Sequence, residues 1–275
     1  MTTIALIGAG GKMGFRLSAN LARSEFNVRH VEISEPGRKR LHDELDVSCV
    51  SADVALDGAD VVILAVPDTV IGKISHELEP QFRSGIMIVV LDAAAPFAGH
   101  LPERDDLCYF VTHPCHPPIF NDETDLDAKR DYFGGLKAKQ SIVSALMQGP
   151  EENFELGESI AKVIYAPVLD SYRVTVDQMA LLEPGLSETV CATLLDTMRE
   201  AMDEVVSRGV PKDAARAFLL GHMNILSAVI FGEMEGSFSD ACYKAIEYGK
   251  PALIRPDWKK VFEPDELAES IQRIT

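Results

Sequence analysis

Two stretches in the first hundred residues, "VVILAV" (61–66) and "IMIVVL" (86–91), are apolar at every position rather than at every second one. A strand with one wet face alternates. A strand apolar throughout must be covered on both faces, as happens in parallel sheets flanked by helices. The pattern confines the N-terminal part of the chain to an α/β architecture. "TIALIGAG" and "FNVRHVEIS" read as two further strands upstream, with the helical stretch "FRLSANLARSE" between them, and "LCYFVTHP" and "AKQSIVSALMQG" as two downstream.

The first strand runs directly into a glycine loop, from Gly8 through Gly10, Gly11, Lys12 and Met13 to Gly14. Glycines allow a tight turn and close backbone approach, and the following helix N-terminus offers unpaired N–H groups to a pyrophosphate. The spacing is GxxGxxG rather than GxGxxG, and a glycine loop by itself also serves as a plain turn. Glu32, near the end of the second strand and 18 residues past Gly14, is placed to accept hydrogen bonds from ribose hydroxyls and to repel a 2′-phosphate. That favours NAD over NADP. Arg38, Lys39 and Arg40 follow closely and would suit the phosphate instead, and a solvated strand-end carboxylate is the bland alternative.

"VTHPCHPPIFNDE" (111–123) sets His113 and His116 three positions apart among Pro114, Pro117 and Pro118. It stands at the C-terminal end of a strand, the edge where open α/β sheets bind ligands. Either it is a rigid turn that happens to hold histidines, or it is half of a reaction site. Cys115 between them reads as a small packed residue.

Residues 119–137 are acidic and non-periodic and read as an exposed insertion. A domain boundary is expected near residue 170, giving a nucleotide-binding domain (1–170) and a helical domain (171–275). From Val176 onward the apolar periodicity is helical, with a first long helix closed by Gly209 and a second beginning at Pro211. Pro184 and Gly185 should kink or break the first of these.

Twenty-six Lys and Arg against 43 Asp and Glu give a formal charge of −17, which argues against nucleic acid or an anionic membrane as partner. A small anionic substrate remains compatible, because one site can be locally positive or hold a metal. No run approaches the ~18 apolar residues of a membrane span. The chain enters a strand at once with no leader-like segment, and its five cysteines are scattered and odd in number. A reduced, cytoplasmic protein is expected.

GxxGxxG, the acid after the second strand, "ADVVILAVP" and a strand ending in "HP" resemble the 6-phosphogluconate and β-hydroxyacid dehydrogenase superfamily, and "HPCHP" is similar to the turn of prephenate dehydrogenases. The resemblance implies a Rossmann domain followed by an all-α domain. It also implies that Val66, Pro67 and Asp68 lie along the cofactor, and that helices of the second half pair in a homodimer. In β-hydroxyacid dehydrogenases the first long helix supplies a lysine and, four residues later, an asparagine. Matching "REAMDEVVSRGV" to the family's helix puts the lysine at Pro184, beside Glu183, and the asparagine at Glu188. No lysine occurs from 163 to 211. A site that loses a lysine and gains carboxylates facing two histidines suggests a divalent metal, zinc foremost, with His113, His116 and Glu183 as ligands. Glu188 is then a candidate acid or base, and His222 a further one from the second helix. The plain alternatives are a capped turn for the histidines, a solvent-facing Glu183, and a packed or surface His222.

"THPCHPPIFNDE", "DYFGG" and "MALLEPGLSET" together resemble a narrower group, NAD-dependent enzymes that oxidise a branched sugar acid and rearrange its carbon skeleton. The implied partner is a small sugar acid. A plain dehydrogenase without rearrangement and a non-catalytic NAD(H) sensor are the competing readings.

Overall fold

The computed structural model describes residues 1–275. Two compact units are present: Met1–Leu182 with Ile271–Thr275, and Glu183–Ser270.

The first unit is built on one seven-stranded sheet. Its strands are β1 (Thr3–Ile7), β2 (Asn27–Val31), β3 (Val61–Leu64), β4 (Met87–Val90), β5 (Cys108–Pro114), β6 (Gln140–Gln148) and β7 (Val168–Arg173), in the order β2-β1-β3-β4-β5-β6-β7. β1 to β5 pair parallel, β6 runs antiparallel to β5, and β7 is parallel to β6. The helices are α1 (Lys12–Leu21), α2 (Glu35–Leu45), α3 (Ala52–Leu56), α4 (Asp68–Leu78), α5 (Ala94–Phe97), α6 (Leu126–Arg130), α7 (Asn153–Ile164) and α8 (Val176–Ala180).

Every residue of β3 and β4 is buried, as their unbroken apolar runs require. The pleat divides them between two cores. Val61, Ile63, Met87 and Val89 pack with Leu17 and Leu21 of α1 and with Ile160 of α7. Val62, Leu64, Ile88 and Val90 pack with Ile71 and Leu78 of α4. Each fully buried aliphatic side chain of this kind is worth roughly 1.5–3 kcal/mol relative to exposure.

The first unit continues past residue 170 for a physical reason. β7 hydrogen-bonds to β6, and α8 buries Met179 in a cluster with Ala93, Val111, Val143 and Ala145. The segment 119–137 is also more organised than its composition suggests. Ala128, Asp131, Gly134 and Gly135 are buried within it. The Asp131 carboxylate accepts the backbone N–H groups of Gly134, Leu136, Lys137 and Ala138, closing the loop around one side chain.

The helix containing Pro184 does not break. Residues Leu181–Ala192 form a π-helix with Pro184 inside it, followed by α9 (Thr193–Ser207), α10 (Lys212–Ile230), α11 (Asp240–Leu253) and α12 (Pro264–Gln272). Proline lacks an N–H and clashes with the carbonyl four residues back. The wider π turn relieves both problems without ending the helix. The Thr189 hydroxyl donates to the Pro184 carbonyl at 2.7 Å, five residues apart.

Candidate active site

The carboxyl ends of β1, β3, β4 and β5 are neighbours in the sheet and bring four segments to one edge. After β1 the chain turns at Gly8, whose φ of +82° and close approach to the Ala65 carbonyl leave no room for a Cβ. A Cβ on Gly14 would lie 2.0 Å from the Gly8 carbonyl oxygen. The loop is tied to β2, with the N–H groups of Gly8 and Ala9 both donating to Val31. α1 begins at Lys12 with no side-chain cap, so its first amides stay available to a pyrophosphate. Gly10, Gly11 and Met13 lie in the same turn.

The Glu32 carboxylate clasps this loop from β2. One oxygen accepts from Gly10 N–H and the other from Ser34 N–H, both at 2.7 Å. Each oxygen keeps a lone pair for a ribose hydroxyl. The three cations that follow are engaged elsewhere. Arg38 donates to the Glu32 backbone carbonyl, Lys39 pairs with Asp43, and Arg40 pairs with Glu44 and lies over the Phe15 ring.

After β3, Val66 packs against the core, Pro67 caps α4, and Asp68 is its first residue. Burial first, and then the negative charge of Asp92, push the Asp68 carboxyl up to about 6, against an opposing pull from His113. β4 ends one residue before Leu91, and Asp92 follows, its carboxylate accepting the N–H of Ala94. At the end of β5, Nδ1 of His113 lies 2.7 Å from the Leu91 carbonyl oxygen. A carbonyl only accepts, so Nδ1 carries a proton and the ring orientation is fixed. A carboxylate oxygen of Asp92 and a ring nitrogen of His113 approach within 4.8 Å. The half-buried Asp92 carboxylate beside the His113 imidazole brings an oxygen and a nitrogen donor together. That donor set fits a divalent cation.

His116 is placed differently. Its φ is +61°, a left-handed conformation that non-glycine residues seldom adopt. Nδ1 donates to the Phe133 carbonyl at 2.8 Å. Its ring stands edge-on to His113, centroids 5.9 Å apart, and 5.0 Å from the Phe133 ring. It is not among the donors that converge with Asp92. Burial lowers its pKa, the Phe133 carbonyl opposes this, and the charges of His113, Lys12 and Arg16 add to the lowering. The Phe133 ring also carries Lys12 Nζ at 4.4 Å and Arg16 Cζ at 4.6 Å.

Of the candidates in the helical half, Glu183 opens the second unit and is half-buried, with its Oε2 inaccessible. Glu188 is exposed. His222 is exposed on α10, bonded to the Phe218 carbonyl one turn back and stacked on that ring at 4.0 Å. Asp92 escaped the sequence reading. Its one signal is its position, an acid directly after a buried parallel strand.

Two family models match the chain: the C-terminal domain of decarboxylating phosphogluconate dehydrogenase over residues 121–275, and coenzyme F420-dependent NADP oxidoreductase over residues 3–95. A protein of Cupriavidus necator named D-apionate oxidoisomerase is 72% identical over 272 residues, covering 99% of both chains. One of the same name from Blautia hydrogenotrophica is 43% identical, covering 98% of this chain and 94% of its own. The chain belongs to the D-apionate oxidoisomerase family. Among solved structures, a Cupriavidus necator protein described as a semialdehyde dehydrogenase NAD-binding protein in complex with calcium and NAD superposes with a TM-score of 0.98. It is 72% identical, and the match covers all of both chains. An archaeal ketol-acid reductoisomerase shares the fold alone, at TM-score 0.71 and 18% identity, covering 99% of this chain and 82% of its own. This member of the D-apionate oxidoisomerase family is therefore an enzyme with an NAD-binding oxidoreductase fold, a Rossmann-type domain followed by a helical region.

Proposed function

We propose that the enzyme oxidises D-apionate with NAD⁺ and rearranges the carbon skeleton to a 3-oxo-isoapionate-type product, with a divalent cation held by Asp92 and His113. The observation that carries this reading is the Asp92 and His113 donor pair at the cofactor edge of the sheet, in a chain whose long helix lacks the lysine of ordinary hydroxyacid dehydrogenases. His116, whose donors lie apart, is reassigned from ligand to proton acceptor.

When bound, NAD⁺ takes up the hydride and the cation polarises adjacent substrate oxygens. An imidazole with a carboxylate suits zinc, and carboxylate and substrate oxygens also suit manganese, magnesium or calcium. For the cofactor, the glycine loop receives the pyrophosphate and Glu32 the adenosine ribose, while Val66, Pro67 and Asp68 border the nicotinamide side. NAD rather than NADP is supported by the engagement of Arg38 with the Glu32 carbonyl, Lys39 with Asp43, and Arg40 with Glu44 and the Phe15 ring.

The chain's residues then manage protons. His116 Nε2 accepts the hydroxyl proton as the C–H hydride departs, and the carbon becomes a ketone. Asp68, with its raised pKa, is suited to exchange the proton of the neighbouring tertiary hydroxyl near neutrality. As that O–H is lost, a carbon–carbon bond migrates to the new ketone carbon, the old carbinol becomes the carbonyl, and the former ketone oxygen regains a proton. Glu188 and His222, both exposed, are assigned no proton here.

The apolar faces left open on α9 and α10 support a homodimer, and five free cysteines support a reduced, cytoplasmic setting. The test of the reaction is NMR of the product formed from D-apionate and NAD⁺. A rearranged skeleton supports the proposal. An intact 2-oxo skeleton returns the enzyme to plain hydroxyacid dehydrogenases.

A further inference from the structure

A sugar acid approaching a chain of formal charge −17 needs a local cation. The cations of the first unit are largely engaged: Arg83 with Asp60, Arg104 with Asp106, Lys137 with Asp125 and Asp127, Lys162 with Glu158, and Arg173 with Glu151. At the Phe133 ring, Arg16 donates to the Gly134 carbonyl and faces the buried Asp131. Lys12 is different. It is exposed, no carboxylate pairs with it, and its ammonium rests 4.4 Å from the Phe133 ring centroid. His116 rests against the same ring, and the Phe133 carbonyl fixes that histidine's orientation. One aromatic side chain therefore carries a free cation on its ring and holds, through its own backbone, the imidazole to which proton transfer is assigned.

A pyrophosphate on the glycine loop does not require this ammonium, since the backbone N–H groups of the first turn of α1 serve it. Nor does Lys12 stabilise the fold through any ion pair. We propose that Lys12, seated on Phe133 beside His116, anchors the carboxylate of the sugar acid and so makes the enzyme selective for acids over their neutral counterparts. This rests on the sugar-acid reading above and adds the residue that recognises the acid. Phe133 sets the height of the ammonium, and its cation–π contact keeps the long side chain ordered before substrate arrives.

The test compares wild type, Lys12→Met and Lys12→Arg with D-apionate and with its neutral carboxamide, alongside NADH affinity from fluorescence titration. A charge-assisted hydrogen bond to a carboxylate corresponds to roughly a ten- to hundred-fold effect. The expected result is that Lys12→Met raises KM for the acid by about that factor and lowers the preference for acid over amide equally. NADH affinity stays within twofold, and Lys12→Arg recovers most of the preference. An unchanged acid-over-amide ratio in Lys12→Met overturns the proposal. So does weakened NADH binding with an unchanged KM for the acid, which places the ammonium on the cofactor instead. If the wild type turns over neither compound, the functional reading itself fails and this inference falls with it, a failure seen before any variant is made.

Discussion

At the level of single residues, the site is defined by which atom of each side chain is already occupied. His113 and His116 each donate Nδ1–H to a backbone carbonyl, which fixes the orientation of both rings. Asp92→Asn keeps the shape of one ligand and removes its charge. The expected outcome is a loss of roughly a hundredfold or more in kcat/KM, with divalent-cation affinity weakened by about 10- to 100-fold, read from titration of the stripped protein. A residue outside the chemistry sets an acid limit on stability. His30 is buried and neutral, and burial lowers its pKa to about 4. Between about 4 and the usual 6.5 the unfolded chain binds a proton that the folded chain does not, so stability falls as pH falls through that window. The contribution is complete above the upper value and amounts to about 3 kcal/mol at 1.36 kcal/mol per unit. His30→Leu should flatten the dependence of the urea midpoint on pH between 6.5 and 4, and an unchanged slope would assign it to other groups.

At the level of elements, the parallel strands were legible because burial on both faces writes itself as an unbroken apolar run. β3 and β4 follow "VVILAV" and "IMIVVL" almost residue for residue. The glycine loop was legible for a related reason, since Gly8 and Gly14 stand where a Cβ has no space. Three features were not. Asp92 carries no spacing signal, because its partner lies 21 positions away on the next strand. The π-helix around Pro184 reads as a kink or a break, since sequence shows the missing N–H but not the widened turn that accommodates it. The loop after His116 reads as an exposed insertion because one buried carboxylate, rather than an apolar pattern, organises it. Asp131→Ala strands the backbone donors of Leu136, Lys137 and Ala138, and the expected cost is about 3 kcal/mol in thermal or urea denaturation. The catalytic loss should exceed the stability loss, because the Phe133 carbonyl would no longer fix His116. Equal activity per folded molecule would deny the loop that role.

At the level of the whole molecule, α9 buries none of its fifteen residues and α10 buries only Ala215, although both carry leucines, isoleucines and methionines. Apolar area of that extent is seldom left to water. Light scattering on the purified protein should give about twice the 30.1 kDa of one chain, and a monomer mass at micromolar concentration would contradict the pairing. The division of labour between a cofactor-binding sheet and a helical region was expected from sequence. The first unit ends later than expected because β7 and α8 complete the sheet and its covering layer. A divalent cation at Asp92 and His113 is proposed to take the place of the missing lysine. Its most direct test is NADH formation from D-apionate by protein stripped with a chelator, then titrated with zinc and in parallel with manganese, magnesium and calcium. The prediction is that stripping reduces the rate by at least a hundredfold and that one of these ions restores it at one equivalent per chain. Full turnover by the stripped protein would contradict it.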